Sequence, residues 1–471
     1  MAAPELVWFR NDLRCRDQAA LAIAREQGPV VAVYCFCPEQ LVLHGVGGNR
    51  VAFLLRCLAA LRGELDALGI PLRILETGHF SAVPSALLAL ARRIGARRLW
   101  FNDEYPLNEK RRDDAVEDAF VAAGLAVERL SDTVIRAPGS VLTRQHTPYT
   151  VFTPFRRRWL EGIRPEDLAP RALPKRQQRP DIDSDPIPRL PAGFDGGSAA
   201  TLWPGGEAPA LERLQRFADD DLETYAQTRD FPALEGTSTL SPWLAVGAVS
   251  PRQCVHVALE KNEGRLDGGS PGAATWITEI IWREFYRHVV AAFPHVSRGH
   301  AFRREYDMVA WRSDADQLEA WRQGRTGYPL VDAGMRQLAS MGWMHNRLRM
   351  VVAMFLSKNL LLDWRLGEAH FMAELVDGDF ASNNGGWQWS ASTGTDAAPY
   401  FRVFNPVTQS RRFDPEGHFI RRYVPELAGL EGSKVHAPWQ ARGKSLEYPP
   451  PIVDAAASRR RAIEAFRNLG S

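Results

Sequence analysis

Short apolar runs alternating with helix-length amphipathic ones constrain the first third of this chain more than any other feature. Residues 5–10 (ELVWFR) and 30–36 (VVAVYCF) are β-branched and aromatic, without the polar alternation of a strand wet on one side. They read as parallel strands covered on both faces. Helical patterns follow at 17–27 and at 49–68, where Val51, Leu54, Leu55, Leu58 and Leu61 recur at helical spacing, and again near 84–94 and 108–123. Further strands are expected at 72–75 and 98–101. This order predicts a doubly wound α/β domain, a fold that binds nucleotides at the ends of its strands. The glycines of HGVGGN (44–49) do not form GxGxxG after a strand, so no dinucleotide fingerprint is assigned.

From 165 to 209 the chain is rich in proline (Pro170, Pro174, Pro180, Pro186, Pro188, Pro191) and poor in periodic apolar residues, as expected of an extended connector lying on the surface. Helical periodicity then dominates: 210–227, 243–260, 273–293, 315–323, 329–341, 345–361 and 367–376. A chain of 471 residues is too long for one ordinary domain. The segments read as an α/β domain at 1–131, a connector at 132–209 and an all-helical domain at 210–471. Ten of the fourteen tryptophans lie from Trp243 onward, so the aromatic chemistry belongs to the helical part.

Net charge is only +2, so binding to nucleic acid would need a local basic face. The five cysteines are odd in number and lack metal-type spacing, which fits a reduced, cytoplasmic setting. Glu5 and Arg10 interrupt the first apolar run, which therefore is no signal peptide, and no segment reaches membrane-spanning length.

Four stretches carry chemistry. The run 377–406 (DGDFASNNGGWQWSASTGTDAAPYFRVFNP) combines Asp377, Asp379, Asn383, Asn384, two glycines, Trp387 and Trp389. It has neither helical nor strand periodicity and suits a pliable site for something flat and partly polar; a buried loop with core tryptophans is the alternative. TEIIWREFYRH sets Glu279, Trp282, Arg283 and Tyr286 on neighbouring helical faces, where a salt-bridged helix contact would look the same. GWMHNRLRM brings Asn346, Arg349 and Met350 to one face, with Arg347 leaning off it; a solvated basic face is the alternative. GTSTLS (236–241) before Pro242 is a hydroxyl-rich turn at a helix start, suited to phosphate but equally to ordinary capping. Together they supply groups for a dinucleotide and a second aromatic ligand. His256, His288, His345 and His370 lack ligand pairing, and no metal site is assigned.

LVWFRNDLR (6–14), RDFPALEGTSTLS (229–241), WREFYRH (282–288), WMHNRLRM (343–350) and the 377–406 run closely resemble the photolyase/cryptochrome family, over nearly the whole chain. The resemblance is strongest to bacterial class I cyclobutane-pyrimidine-dimer photolyases of the enterobacterial type. It implies FAD, active in its reduced form, in the helical domain. Tyr225, Thr237, Ser238, Thr239, Leu240 and Ser241 would contact the flavin phosphates, with Arg283 and Arg349 offsetting their charge. Asp377, Gly378 and Asp379 would hold the ribose and ring edge, Asn383 would face the flavin N5, and Trp276 and Asn346 would complete the cofactor contacts.

The same resemblance implies a pocket for a flipped pyrimidine dimer in damaged DNA, lined by Glu279, Trp282, Asn346, Met350 and Trp389, with Arg229, Arg347 and Arg402 on the phosphates. Glu279 would bond a pyrimidine carbonyl. Trp387, Trp364 and Trp311 match the family's electron-hopping chain. Asn108 and Glu109 match a folate-contacting pair, implying a methenyltetrahydrofolate antenna. Ser297 and Arg298 stand where a cysteine and a lysine are expected, which keeps a deazaflavin antenna as the alternative. A cytoplasmic monomer with no membrane and no obligate protein partner is expected. The rival functions are a cryptochrome-type signalling flavoprotein, which would lose the lesion pocket, and a light-independent redox flavoenzyme, which would lack a basic rim.

Overall fold

The computed structural model describes residues 3–196, 198–440 and 447–469. By packing, the chain divides into one unit formed by Met1–Ala226 with Ser238–Pro294 and a second formed by Gln227–Thr237 with His295–Ser471. This division differs from the sequence segments 1–131, 132–209 and 210–471, because part of the helical region packs with the sheet.

In the first unit, β1 (Glu5–Phe9), β2 (Val30–Phe36), β3 (Leu72–Glu76), β4 (Arg98–Asn102) and β5 (Ala126–Leu130) form one parallel sheet in the order β3-β2-β1-β4-β5. β1 is central, with Glu5 beside Val30 on one flank and Arg98 on the other. Every residue of β1 is buried, as the apolar run Leu6 to Phe9 requires when helices cover both faces, and Glu5 is buried with Arg97 and Trp100 as partners. The helices α1 (Ala19–Gln27), α2 (Gly48–Ala67), α3 (Val83–Ile94) and α4 (Leu107–Ala122) lie where periodicity put them.

β5 was not foreseen. Its sequence, AVERL, is exposed to half-buried and carries two charges, so it lacks an apolar signature. An edge strand needs less burial than a central one, and this one is fixed by pairing with β4 and by ion pairs. Arg129 bonds Asp103, Asp114 and Glu117, each at 2.8 Å, and Glu128 meets Arg98 at 3.1 Å. The proline-rich connector is extended as expected and is stitched to the sheet. Gln177 exchanges bonds with the Val30 backbone, while Asp185 accepts from the Ile74 N–H and Arg73.

The helices α5 (Phe152–Glu161), α6 (Glu207–Asp220), α7 (Pro251–Lys261) and α8 (Pro271–Ala292) complete this unit. The helix expected at 243–260 is broken into Ser241–Val246 and α7. Gly247 adopts φ +70°, where a Cβ would lie 2.1 Å from the Asn11 carbonyl oxygen, and Ser250 caps the new start through the N–H of Gln253. α7 is tied to the loop after β1 by buried charges. Arg252 reaches Asp17 at 2.6 Å and Asp132 at 3.0 Å, Arg14 reaches Asp132 at 2.7 Å, and Ser250 Oγ donates to Asp17.

The second unit is helical: α9 (Ala315–Arg322), α10 (Pro329–Met341), α11 (Asn346–Met354), α12 (Trp364–Glu374), α13 (Phe380–Ala391), α14 (Pro406–Phe413), α15 (His418–Tyr423) and α16 (Ala455–Arg467). Its core joins Trp321, Leu338, Leu348, Phe355, Trp364, Phe371 and Trp387. The expected helix 345–361 ends in a π-helical turn at Phe355–Asn359. The 377–406 run is not irregular throughout, because α13 occupies its middle. Its apolar residues do not gather on one stripe: the helix buries Asn384 and Gln388 as well as Ala381 and Trp387, so the amphipathic signal vanishes. No helix among the described residues is long and apolar enough to cross a membrane.

Replacing Arg252 by Met would leave Asp17 buried without its guanidinium. Urea unfolding should show a loss of about 3–5 kcal/mol, the usual consequence of removing one partner of a buried ion pair.

Candidate functional site

The residues singled out above fall into sets within each unit. In the first, the residues assigned to the flavin share an aromatic neighbour. Phe217 meets Tyr225 edge-on at 5.6 Å and Trp276 at 5.0 Å, and both rings are buried. Arg213 donates to the Ser238 carbonyl at 2.8 Å, Thr239 adopts φ +51°, and Leu240 is buried just before Ser241 opens its helix. A positive φ at a β-branched residue is uncommon and marks a turn held by its surroundings.

On α8, Glu279 is half-buried, and Trp282 has one face covered: Phe152 stacks on it at 3.6 Å with planes 9° apart. Phe152 was missed, and nothing local in FTPFRRRWLE distinguishes it from an ordinary core residue. Arg283 donates to the carbonyls of Thr133 and Leu244, at 2.8 and 3.1 Å.

Asn108 and Glu109 open α4, and the structure adds His44 to them. His44 Nε2 lies 3.0 Å from Asn108 Nδ2, its Nδ1 lies 3.5 Å from Glu109 Oε1, and its ring meets Phe80 edge-on. Burial pushes the Glu109 carboxyl up to about 7 and pushes His44 down, so both favour uncharged forms. A lone histidine in a glycine-rich loop gave no sequence signal of this.

Ser297 and Arg298 end a short 3₁₀ turn of the second unit, with Arg298 exposed and Ser297 Oγ buried without a hydrogen-bond partner.

The second unit holds a built polar site. Arg349 reaches Asp377 Oδ2 at 2.7 Å and donates through Nε to the Met344 carbonyl. Asp377 is buried, and its other oxygen, Oδ1, has no partner. A buried carboxylate oxygen without a donor is costly, so it marks a place for a ligand hydroxyl or N–H. Gly378 leaves ordinary van der Waals space, its nearest neighbours being Leu375 and Met372. Asp379 caps α13 by accepting from the N–H and Oγ of Ser382 at 3.0 and 2.6 Å.

One turn on, Asn383 donates to the Glu368 carbonyl at 3.0 Å, and Asn384 donates to the Glu368 carboxyl at 2.8 Å while accepting from Gln388. Burial pushes Glu368 up to about 7 against the opposing bond from Asn384.

Asn346 is exposed at the start of α11, which His345 caps. Burial lowers His345 to about 4, leaving a neutral ring with Nε2 unpartnered. Arg347 pairs with Asp230 at 2.7 Å, covers the Phe413 ring and touches the Met350 sulfur. Arg229 lies 4.0 Å from the same Asp230, Arg402 is exposed, and Trp389 is half-buried. Trp387 and Trp364 are buried in one core, with Trp311 packed against it. Gly367 makes this possible, since a Cβ there would sit 2.1 Å from Cη2 of Trp387.

A doubly wound sheet unit and a helical unit carrying this carboxylate, amide and indole strip suit a flat, partly polar ligand, and comparison with known proteins makes the family specific. Residues 5–176 match the family model described as DNA photolyase, and residues 276–468 match the FAD binding domain of DNA photolyase. The chain belongs to the DNA photolyase family. It is similar to the deoxyribodipyrimidine photo-lyases of Salmonella typhimurium and Escherichia coli, each 44% identical over 98% of both chains. Among solved structures, a class III photolyase from Agrobacterium tumefaciens superposes with a TM-score of 0.89 at 38% identity, covering 100% of this chain and 98% of that one. A cryptochrome from Synechocystis gives 0.84 at 30% identity, covering 99% and 100%.

Glu368 makes stability depend on pH. Its folded value of about 7 exceeds its ordinary 4.5, so the folded chain holds the extra proton between them and stability falls as pH rises through that window. Glu368→Gln keeps the bond from Asn384 and removes the titration. Its stability relative to the unmodified chain should rise by about 1–2 kcal/mol across the window and level off above it, as measured by urea unfolding at each pH.

Proposed function

We propose that this chain is an FAD-dependent deoxyribodipyrimidine photo-lyase, which splits cyclobutane pyrimidine dimers in damaged DNA under blue light. The observation that carries the cofactor assignment is the unpartnered, buried Asp377 Oδ1 beside the Arg349–Asp377 ion pair. The residues present fit FAD. Asp377 offers an acceptor to a ribose hydroxyl or ring N–H, Arg349 offsets phosphate charge, and Tyr225 with Thr237, Ser238, Thr239, Leu240 and Ser241 binds the phosphates. Asn383 presents a neutral amide to the ring edge, suited to the reduced cofactor. Bound in that form, FAD supplies one electron when excited and recovers it once the ring is opened, with no net redox change.

The protein's part is to bind, orient and stabilise. Extruding a dimer from the duplex costs a few kcal/mol, least where damage has already weakened stacking. Base–aromatic stacking returns about 1–3 kcal/mol per base, roughly offsetting that cost for a dimer but leaving intact pairs in the helix. Trp282, stacked on Phe152, and the half-buried Trp389 supply the indole rings for this. Glu279 bonds a pyrimidine carbonyl and stabilises negative charge as it develops there, and Asn346 and Met350 of the second unit are further dimer contacts. Arg229, Arg347 and Arg402 bind phosphates, with Asp230 holding Arg347 in place. His44, Asn108 and Glu109 hold an antenna pigment; their uncharged polar groups suit methenyltetrahydrofolate, with a deazaflavin as the alternative. The enzyme works in the cytoplasm as a monomer.

Glu279→Ala should lower repair yield per photon several-fold while leaving affinity for dimer-containing DNA nearly unchanged. Arg402→Ala should do the reverse, weakening binding and reducing its salt slope by about one. Photon-counted repair assays and salt-titrated binding check both; equal effects of either change on both quantities would count against these roles. An absorption spectrum of the purified protein separates folate from deazaflavin.

A further inference from the structure

Several buried indoles among the described residues find an acceptor. Trp100 donates to Glu5, Trp159 to Glu284, Trp243 to the Pro204 carbonyl and Trp321 to the Val352 carbonyl. The N–H groups of Trp387, Trp364 and Trp311 are all buried and have none, a condition shared with Trp8 of the sheet unit. One-electron oxidation makes an indole N–H strongly acidic. A ring with no acceptor keeps its proton, stays a radical cation and readily takes its electron back. That favours passage through Trp387 and Trp364, but somewhere the charge must be fixed. Trp311 is half-buried, yet its nitrogen is shielded from solvent, so a base has to be supplied from within.

Such a base lies in the same cluster. Lys358, on the π-helical turn Phe355–Asn359, is fully buried, and its Nζ sits 3.5 Å above the ring centroid of Phe466 with no hydrogen-bond partner. The Phe466 ring also carries Trp311 edge-on at 5.9 Å, Tyr306 at 5.7 Å and Tyr400 at 6.3 Å. The nearby cations are engaged with backbone: Arg461 donates to the Asn359 carbonyl and Arg312 to the Leu360 carbonyl. With no carboxylate to pair with, burial alone pushes the Lys358 amine far below the usual lysine range. Burial thus favours the neutral amine, whose lone pair has no hydrogen-bond donor beside it.

We propose that Lys358 is the proton acceptor of Trp311 when that ring gives up an electron. This rests on reading Trp387, Trp364 and Trp311 as an electron chain. The oxidant is oxidised flavin under blue light, and the electron leaves Trp311 by way of Trp364 and Trp387. The indole N–H bond breaks, its proton forms a new N–H bond at Lys358 Nζ directly or through one water, and a neutral indolyl radical and an ammonium group result. Return of the electron then also requires return of the proton, which slows it. An added thiolate later supplies an electron and Lys358 gives back the proton, restoring both residues.

Flash absorption spectroscopy on the flavin-loaded protein tests this, because indole radical cations and neutral radicals have distinct spectra. Lys358→Met keeps the shape and removes the base. Its radical cation should persist at least tenfold longer than in the unmodified protein, and its photoreduction yield with added thiol should fall several-fold. Its resistance to urea should not fall, since an unpaired buried amine is replaced by an apolar chain. A role in packing alone would leave the radical kinetics unchanged.

In the unmodified protein, proton loss should be slowed in deuterated solvent yet be independent of buffer concentration; acceleration by buffer base would overturn the proposal without any variant. Deprotonation at the normal rate in Lys358→Met, together with loss of photoreduction in Trp311→Phe, would refute the role of Lys358 alone. Unchanged photoreduction in Trp311→Phe would instead remove the electron chain itself, and the proposal with it.

Discussion

The second unit depends on a contact that only a hydrogen atom permits. With a Cβ on Gly367 held 2.1 Å from Trp387, α12 and α13 could not approach as they do. That approach sets the height and rotation of α13, and α13 carries Asn383, Trp387 and Trp389 on rigid backbone, with Asp379 as its cap. Close packing makes such a contact all-or-none, since interiors have no slack to absorb a methyl group. The strip proposed to face the flavin follows from it.

Buried charge is handled in two ways. Some buried charges are paired with one another, as in the Arg252, Asp17, Asp132 and Arg14 group or the Arg129 fan over β5. Where a ligand or an electron is expected, groups are left neutral or incomplete: Asp377 Oδ1, His345 Nε2, the three indole nitrogens and Lys358. Burial moves Glu109, His44, Glu368 and His345 toward their uncharged forms. A site that must move one electron without a proton following at each step gains from surroundings that neither donate nor accept.

Much of this was legible in the chain. The strands β1 to β4 were readable as short apolar runs and most helices because each buries a face whose period the residues repeat, and the site motifs were specific enough to name the family. β5 and α13 were not. An edge strand secured by Arg129 and Arg98 needs no apolar run, and a helix whose buried face carries Asn384, Gln388 and Ser390 shows no apolar stripe. His44, Phe152 and Lys358 were likewise silent, because their meaning comes from neighbours distant in sequence.

The sequence by itself determined the parallel sheet, the helical remainder and the kinds of side chain available, since periodicity and local chemistry are properties of consecutive residues. Tertiary structure alone decided which acceptors stay unpartnered, which aromatic faces are covered and which amine lies beside which ring. Those outcomes depend on desolvation and on contacts across tens to hundreds of residues, and no local pattern encodes them.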